Sequence, residues 1–447
     1  MVLKLLLLAM LLALTSGGAG ISRHGFWKTN VVQNDSKPRH SLRPTLSYSH
    51  KFSTPVPINP IQSLLQRHKR LSFQRREKTD TKYKRETEPS KKGPIDNLTT
   101  IIQQPLEHNP GTLPPFSSLQ PIVDSVTLRL VRLVTGGKSK FIDTELNIGE
   151  GSHKQRVSTP VHILDIPGNG KLPPVVLLHG ITSCSADFAP LAYQLRSKFS
   201  RVIAIDLLGH GLTPLPNAGN AKPHFSWMTR VVSQVLDNVL PESGNEKAIL
   251  LGNSMGGLVA MRTALARPDL VDGLFLISPA GGPLTEKEIS GLSNIFHISS
   301  HEEGTTFIDR MHGQKPAQPL RHLMAWVARG RVNNRAVKNI FDSINPESFM
   351  TEQDCRGISV PCALFWGGEE KVLPKQHLDF FRANIPQLSV CNPVGMGHVP
   401  QNDDWNFVAS RCTEFSNALQ NGGETTEGWV RNQRRSKKGE GAKATDT

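Results

Sequence analysis

The stretch "AILLGNSMGGLVAMRTALARP", residues 248–268, sets Ser254 between Gly252 and Gly256. Four apolar residues precede this G-x-S-x-G pattern, and a run with helical spacing (Leu258, Met261, Ala264, Leu265) follows it until Pro268. A serine on a sharp strand-to-helix turn presents its hydroxyl as a nucleophile, and the small neighbours Gly252 and Gly256 let strand and helix pass closely. The pattern alone is also what an inert Gly-rich turn looks like, with Asn253 and Ser254 as ordinary turn residues. If Ser254 is a nucleophile, the chain must also supply backbone donors for an oxyanion upstream, and an acid and a histidine downstream.

Upstream, "LPPVVLLHGITSC" reads as a buried strand, Val175 to Leu178, running into a loop at His179 and Gly180. The N–H groups of Ile181 and Met255 are the expected oxyanion donors. A second apolar run, Val202 to Ile205 in "RVIAIDLLGHG", ends in Asp206 and a turn made of Gly209, His210 and Gly211, read as architectural.

Taken in order, "LLHG", "DLLGHG", "GNSMGG", "FWGGEEKVLP" and "GMGHVP" over residues 141–420 resemble the α/β-hydrolase superfamily. "GNSMGG" followed by "LISPAG" resembles the branch that holds monoacylglycerol-lipase-like esterases and carbon–carbon hydrolases of aromatic ring-cleavage products. The resemblance implies an α/β class fold: a mostly parallel central sheet with helices on both faces and a helical cap inserted after the sixth strand. It also implies a Ser-acid-His triad. Where the family usually carries aspartate, this chain has Glu369 and Glu370, and the register from Trp366 and Pro374 gives the role to Glu370. His398 takes the histidine's place. The implied activity is hydrolysis of carboxylic esters through an acyl-enzyme, with no cofactor. A carbon–carbon bond hydrolase and a catalytically silent binding protein on the same fold are the alternatives.

About 75 residues of cap, roughly 283–360, separate the sixth and seventh strands by the same resemblance. Leu320, Leu323, Met324 and Val327 recur at helical spacing within it. Phe296, Phe307, Met311, Met324, Trp326, Phe341, Phe349 and Met350 are candidates for lining a pocket for an apolar acyl or aromatic group.

The charge divides the chain into regions. The 447 residues carry a net charge of +14, yet residues 21–92 hold 17 Lys and Arg against 5 Asp and Glu, while residues 93–430 hold 28 against 31. The excess therefore sits at the ends, and the central domain, 117–420, has no basic character that would suggest nucleic acid. Weak contact of the basic tails with an anionic membrane surface is the one partner, besides a small ester substrate, that the charge suggests.

Residues 1–20, with Lys4 before the apolar run Leu5 to Leu14 and small residues after it, have the order of a secretory signal peptide, and an organelle transit peptide is the rival reading. Secretion, or export to a periplasm, is the expectation. Residues 21–116 form a basic, Pro- and Ser-rich disordered or pro-segment, with Arg67 to Arg70 resembling a convertase site and Asn34 and Asn97 in glycosylation triplets. Residues 421–447 form a basic disordered tail. Cys184, Cys355, Cys362, Cys391 and Cys412 show no C-x-x-C spacing and no metal pattern, and are expected to be core residues joined by two disulfides at most.

Overall fold

The computed structural model describes residues 116–149, 155–217, 223–242, 244, 246–421 and 430–431. The expected signal peptide, the basic segment with its convertase-like and glycosylation sequences, and nearly all of the tail lie outside the described residues.

Helix α1 (Phe116–Thr135) leads into an antiparallel pair, β1 (Lys138–Ile148) and β2 (Gln155–Pro167). The chain then alternates: β3 (Val175–Leu178), α2 (Ala189–Leu195), β4 (Arg201–Ile205), α3 (Phe225–Glu242), β5 (Ala248–Asn253), α4 (Met255–Ala266) and β6 (Val271–Ile277). Five helices follow before the next strand: α5 (Glu286–Ile295), α6 (His301–Met311), α7 (Gln318–Val332), α8 (Arg335–Phe341) and α9 (Glu352–Gly357). The chain returns through β7 (Cys362–Phe365), α10 (Lys375–Asn384), β8 (Leu388–Cys391), α11 (Pro400–Asp403), α12 (Trp405–Gln420) and the short β9 (Val430–Arg431).

The strands form one sheet in the order β1-β2-β4-β3-β5-β6-β7-β8-β9. Strands β3 to β8 are parallel, while β1, β2 and β9 pair antiparallel at the edges. Every residue of β3, β4, β5, β7 and β8 is buried. A strand covered on both faces cannot alternate apolar with polar, which is why these segments are continuous runs such as VVLL and CALF.

Successive side chains nonetheless point to opposite faces. Val176, Leu178, Ile203, Ile205 and Leu250 pack with α3, α4 and α10, whereas Val175, Leu177, Val202, Ala204, Ile249 and Leu251 pack with α2 and α12. Two cores thus lie back to back across one sheet. Truncating any of these leucines to alanine would cost roughly 2–5 kcal/mol. All five cysteines are buried free thiols in these cores, so no disulfide forms.

Helices α5 to α9 form the cap, and its helix starts are written locally. Thr285, Ser300 and Thr351 each accept a hydrogen bond from the backbone N–H three residues on, and Glu288, Glu303 and Asp354 return one, satisfying donors that a first turn leaves open. Cap and body are joined by partly buried polar contacts. Arg331 of α7 pairs with Asp187 and lies 3.6 Å from Asp124 of α1, and the Val399 N–H donates to Met311 O at 3.1 Å.

Candidate active site

Ser254 occupies the single residue between β5 and α4, with φ +52° and ψ −118°. Such a conformation costs a non-glycine residue on the order of 1–3 kcal/mol, and it persists here because the backbone is held on both sides. The Ser254 N–H donates to Ile277 O at 3.0 Å, and its carbonyl accepts from Gly257, Leu258 and Ala280 at 2.9 to 3.3 Å. The flanking glycines are steric necessities. A Cβ on Gly256 would stand 2.1 Å from Leu178 O, and one on Gly252 would stand 2.4 Å from Gly256 O.

His179 fixes the loop after β3. Its Nε2 accepts the Leu207 N–H at 3.0 Å, so Nδ1 carries the proton and donates to Gly180 O at 2.8 Å. Burial lowers its pKa, which keeps the ring neutral and this tautomer in place. Gly180 then passes close to the elbow, where a Cβ would be 3.2 Å from Ser254 Cβ. Among the described residues neither the Ile181 N–H nor the Met255 N–H donates to a protein acceptor, and both residues line cavities that reach Ser254. Two unspent donors beside a serine hydroxyl are what an oxyanion developing there would need.

After β7, Glu370 turns inward, its side chain 4% exposed. Oε1 accepts the N–H groups of Val372 (2.8 Å) and Leu373 (3.0 Å), and Oε2 meets His398 Nδ1 at 2.8 Å. Burial pushes the carboxyl pKa up, but the His398 ring and the two backbone donors outweigh it and leave it below the ordinary glutamate value. An ionised Oε2 holds the imidazole proton on Nδ1, which frees the Nε2 lone pair to act as a base. Adjacent Glu369 makes a different contact: its N–H donates to Met396 O.

Asn253 ties the histidine loop to the elbow. Its Nδ2 donates to Ile277 O and to His398 O, both at 3.1 Å, while Oδ1 accepts from Gln401. Ser254 and His398 both line a cavity of about 360 Å³ under the cap, whose walls include Phe307, Met311, Leu323, Met324 and Val327. A smaller cavity of about 60 Å³ adjoins Ser254 beside Met255 and is lined by Phe341 and Phe349. Of the cap residues named from sequence, Trp326 and Met350 line neither; Met350 packs in the core against Gly281. Asp206 does not reach either cavity. Burial would raise its pKa, but the His162 imidazole (2.7 Å) and the Leu212 N–H outweigh that and bring it to about 2.

A model of the serine aminopeptidase family S33 matches residues 173–393. An uncharacterised protein of Mycobacterium tuberculosis is 28% identical over 265 residues, covering 54% of this chain and 73% of its own. Lipase 1 of Psychrobacter immobilis is 26% identical over 263 residues, covering 57% and 80%. A crystal structure of a bacterial membrane phospholipase A superposes with a TM-score of 0.57 at 20% identity, over 73% of this chain and 97% of the other.

The chain belongs to the α/β-hydrolase superfamily.

This hydrolase also carries site residues that sequence reasoning did not single out. His312, at the end of α6, lines the larger cavity, and its Nδ1 meets Asp403 Oδ1 at 2.6 Å. Asp403 Oδ2 accepts the N–H groups of Gly313 (3.1 Å) and Gly397 (2.7 Å), so one carboxylate fastens the cap to the residue before His398. Arg331 lines the same cavity, already paired with Asp187. Gln401 and Asp403 sit in "GHVPQND" beside the predicted histidine, a proximity that is the only sequence signal for them. Among the described residues no group of three or more His, Cys, Asp or Glu could hold a metal ion.

Proposed function

We propose that this protein is a serine hydrolase that cleaves carboxylic esters through a Ser254–Glu370–His398 triad. The observation that carries the reading is a strained Ser254 sharing a cap-covered, largely apolar cavity with a histidine whose Nδ1 is held by a buried carboxylate. The 26% identity to a lipase supports the ester as the bond cleaved.

In this reading Ser254 Oγ attacks the ester carbonyl carbon as its proton passes to His398 Nε2. The Ile181 and Met255 N–H groups hold the resulting oxyanion, and Glu370 stabilises the imidazolium. Collapse of the tetrahedral species breaks the carbon–oxygen bond to the alcohol, which takes the proton back from Nε2. Water then attacks the acyl-enzyme by the same route and releases the acid.

The experiment is labelling with a fluorophosphonate and turnover of p-nitrophenyl esters by the purified protein. Ser254→Ala should abolish labelling and lower kcat by roughly 10⁵ to 10⁶. Labelling that survives in Ser254→Ala, or a folded wild type that turns over no ester, overturns the reading.

A further inference from the structure

The two cavities at Ser254 are unequal, about 360 and about 60 Å³, and they have three lining residues in common: Ser254, Ile181 and Phe296. The first two are the proposed nucleophile and an oxyanion donor, so the scissile carbonyl must sit at the junction. Phe296 is the third, at the C-terminal end of α5. Its ring centroid lies 5.4 Å from that of Phe307, a wall of the larger cavity, and 4.9 Å from that of Phe341, a wall of the smaller one. Phe296 is thus wedged between one aromatic from each side.

The chemistry decides which half of the ester goes where. A general acid must come within hydrogen-bond reach of the leaving oxygen. His398 lines the larger cavity and not the smaller, whereas Met255 lines the smaller and not the larger. The leaving alcohol therefore belongs on the large side and the acyl group on the small side. A water-sized group needs about 10–15 Å³ of such space, so the small side takes an acyl tail of roughly four to six non-hydrogen atoms. Its walls, among them Phe225, Leu258, Leu292, Ile344 and Leu373, are apolar apart from Ser254 and the His377 ring, whose nitrogens are buried, so that tail is predominantly apolar.

Resting on the proposed ester hydrolysis, we propose that Phe296 is a partition that sets specificity, and that the substrate is an ester of a short, apolar acid with a bulky, apolar alcohol. The larger, mostly apolar cavity then receives the alcohol, and the smaller one the acyl group.

Two isomeric esters test this, decyl ethanoate and ethyl decanoate, which differ only in which side of the carbonyl carries the chain. The wild type should show a kcat/KM at least about tenfold higher for decyl ethanoate, on the scale at which a pocket rejects groups it cannot hold. Phe296→Ala should join the cavities and cut that ratio by at least about tenfold, mostly by raising turnover of ethyl decanoate. Phe296→Leu should move it in the same direction by less, and serves if the alanine variant fails to fold. A wild type that prefers ethyl decanoate, or a ratio unchanged in a folded Phe296 variant, overturns the partition. Failure to hydrolyse any ester, p-nitrophenyl ethanoate included, would instead overturn the ester reading beneath it.

Discussion

Replacing Glu370 with glutamine tests the assignment of the acid at the point where geometry makes the outcome most specific. Glu370 Oε1 accepts two backbone N–H groups, from Val372 and Leu373, so in Glu370→Gln the amide oxygen must stay at that position. The NH₂ group is then forced toward His398 Nδ1, where the wild type has Oε2 at 2.8 Å. A donor there compels Nδ1 to accept, moves the imidazole proton to Nε2, and removes the base that faces the cavity. The shape is kept and the tautomer is reversed. The loss in kcat should be about 10³ to 10⁴, the scale seen for an amide in place of a triad acid, or about 4–5.5 kcal/mol of transition-state stabilisation. Because the Glu370 carboxyl lies below the ordinary glutamate value, it is ionised throughout pH 5.5 to 9, so its own titration adds no pH dependence over that window. Glu369→Gln should cost less than about tenfold. The assay is kcat and the rate of fluorophosphonate labelling across this pH range, with a thermal melt to show that each variant is folded. Glu370→Gln within tenfold of wild type, or a larger loss in Glu369→Gln, refutes the reasoning.

Further outcomes follow from the charged and titratable groups that the fold buries in part or in full. Arg331→Leu should lower the melting temperature by about 6 °C, from roughly 3 kcal/mol at the low end of the cost of leaving one partner of a buried pair, here Asp187 at 31% exposure; Arg331→Leu with Asp187→Leu should recover most of it. Stability should fall as pH drops below about 6.5, because burial lowers the pKa of His210 to about 3 and of His377 to about 4, so the unfolded chain binds protons that the fold refuses. A second decline should follow below about pH 4, where Asp206, at about 2 in the fold, loses its contribution. Both His377 ring nitrogens are buried without a hydrogen-bond partner, so at pH 5 His377→Leu should gain about 2 kcal/mol over wild type relative to pH 7.5. A melting temperature unchanged between pH 7.5 and 4.5 would show that these imidazoles do not govern the acid limb.

What could be read from the sequence divides along physical lines. The parallel strands were legible because burial on both faces leaves uninterrupted apolar runs, and β3 and β4 fall within a residue of where VVLL and VIAI stand. The elbow was legible because its close approaches exclude any side chain, a constraint that glycine alone satisfies and that two carbonyl oxygens at 2.1 and 2.4 Å make concrete. The β1–β2 pair carried no such signature, since a half-exposed edge hairpin mixes lysine, aspartate and glutamate into its strands. The cap was legible as helices, and six of the eight cap residues named as candidate lining do face Ser254's cavities, but which ones would not was hidden. Phe296 and Trp326 are both large aromatics in the same insertion, yet only the first reaches Ser254's cavities, because α5 ends there while Trp326 points elsewhere on α7. Arg331 finds Asp187 across 144 residues and His312 finds Asp403 across 91. Nothing in local propensity links positions so far apart, for their pairing depends on how five helices fold back over the sheet. Chemistry fixed by the backbone was therefore written in short motifs, while specificity, which the cap controls, was written only in three dimensions. The same division makes the acid at 370 and the partition at 296 independent tests: a change at one should alter the rate for every ester, and a change at the other should alter only which ester is preferred.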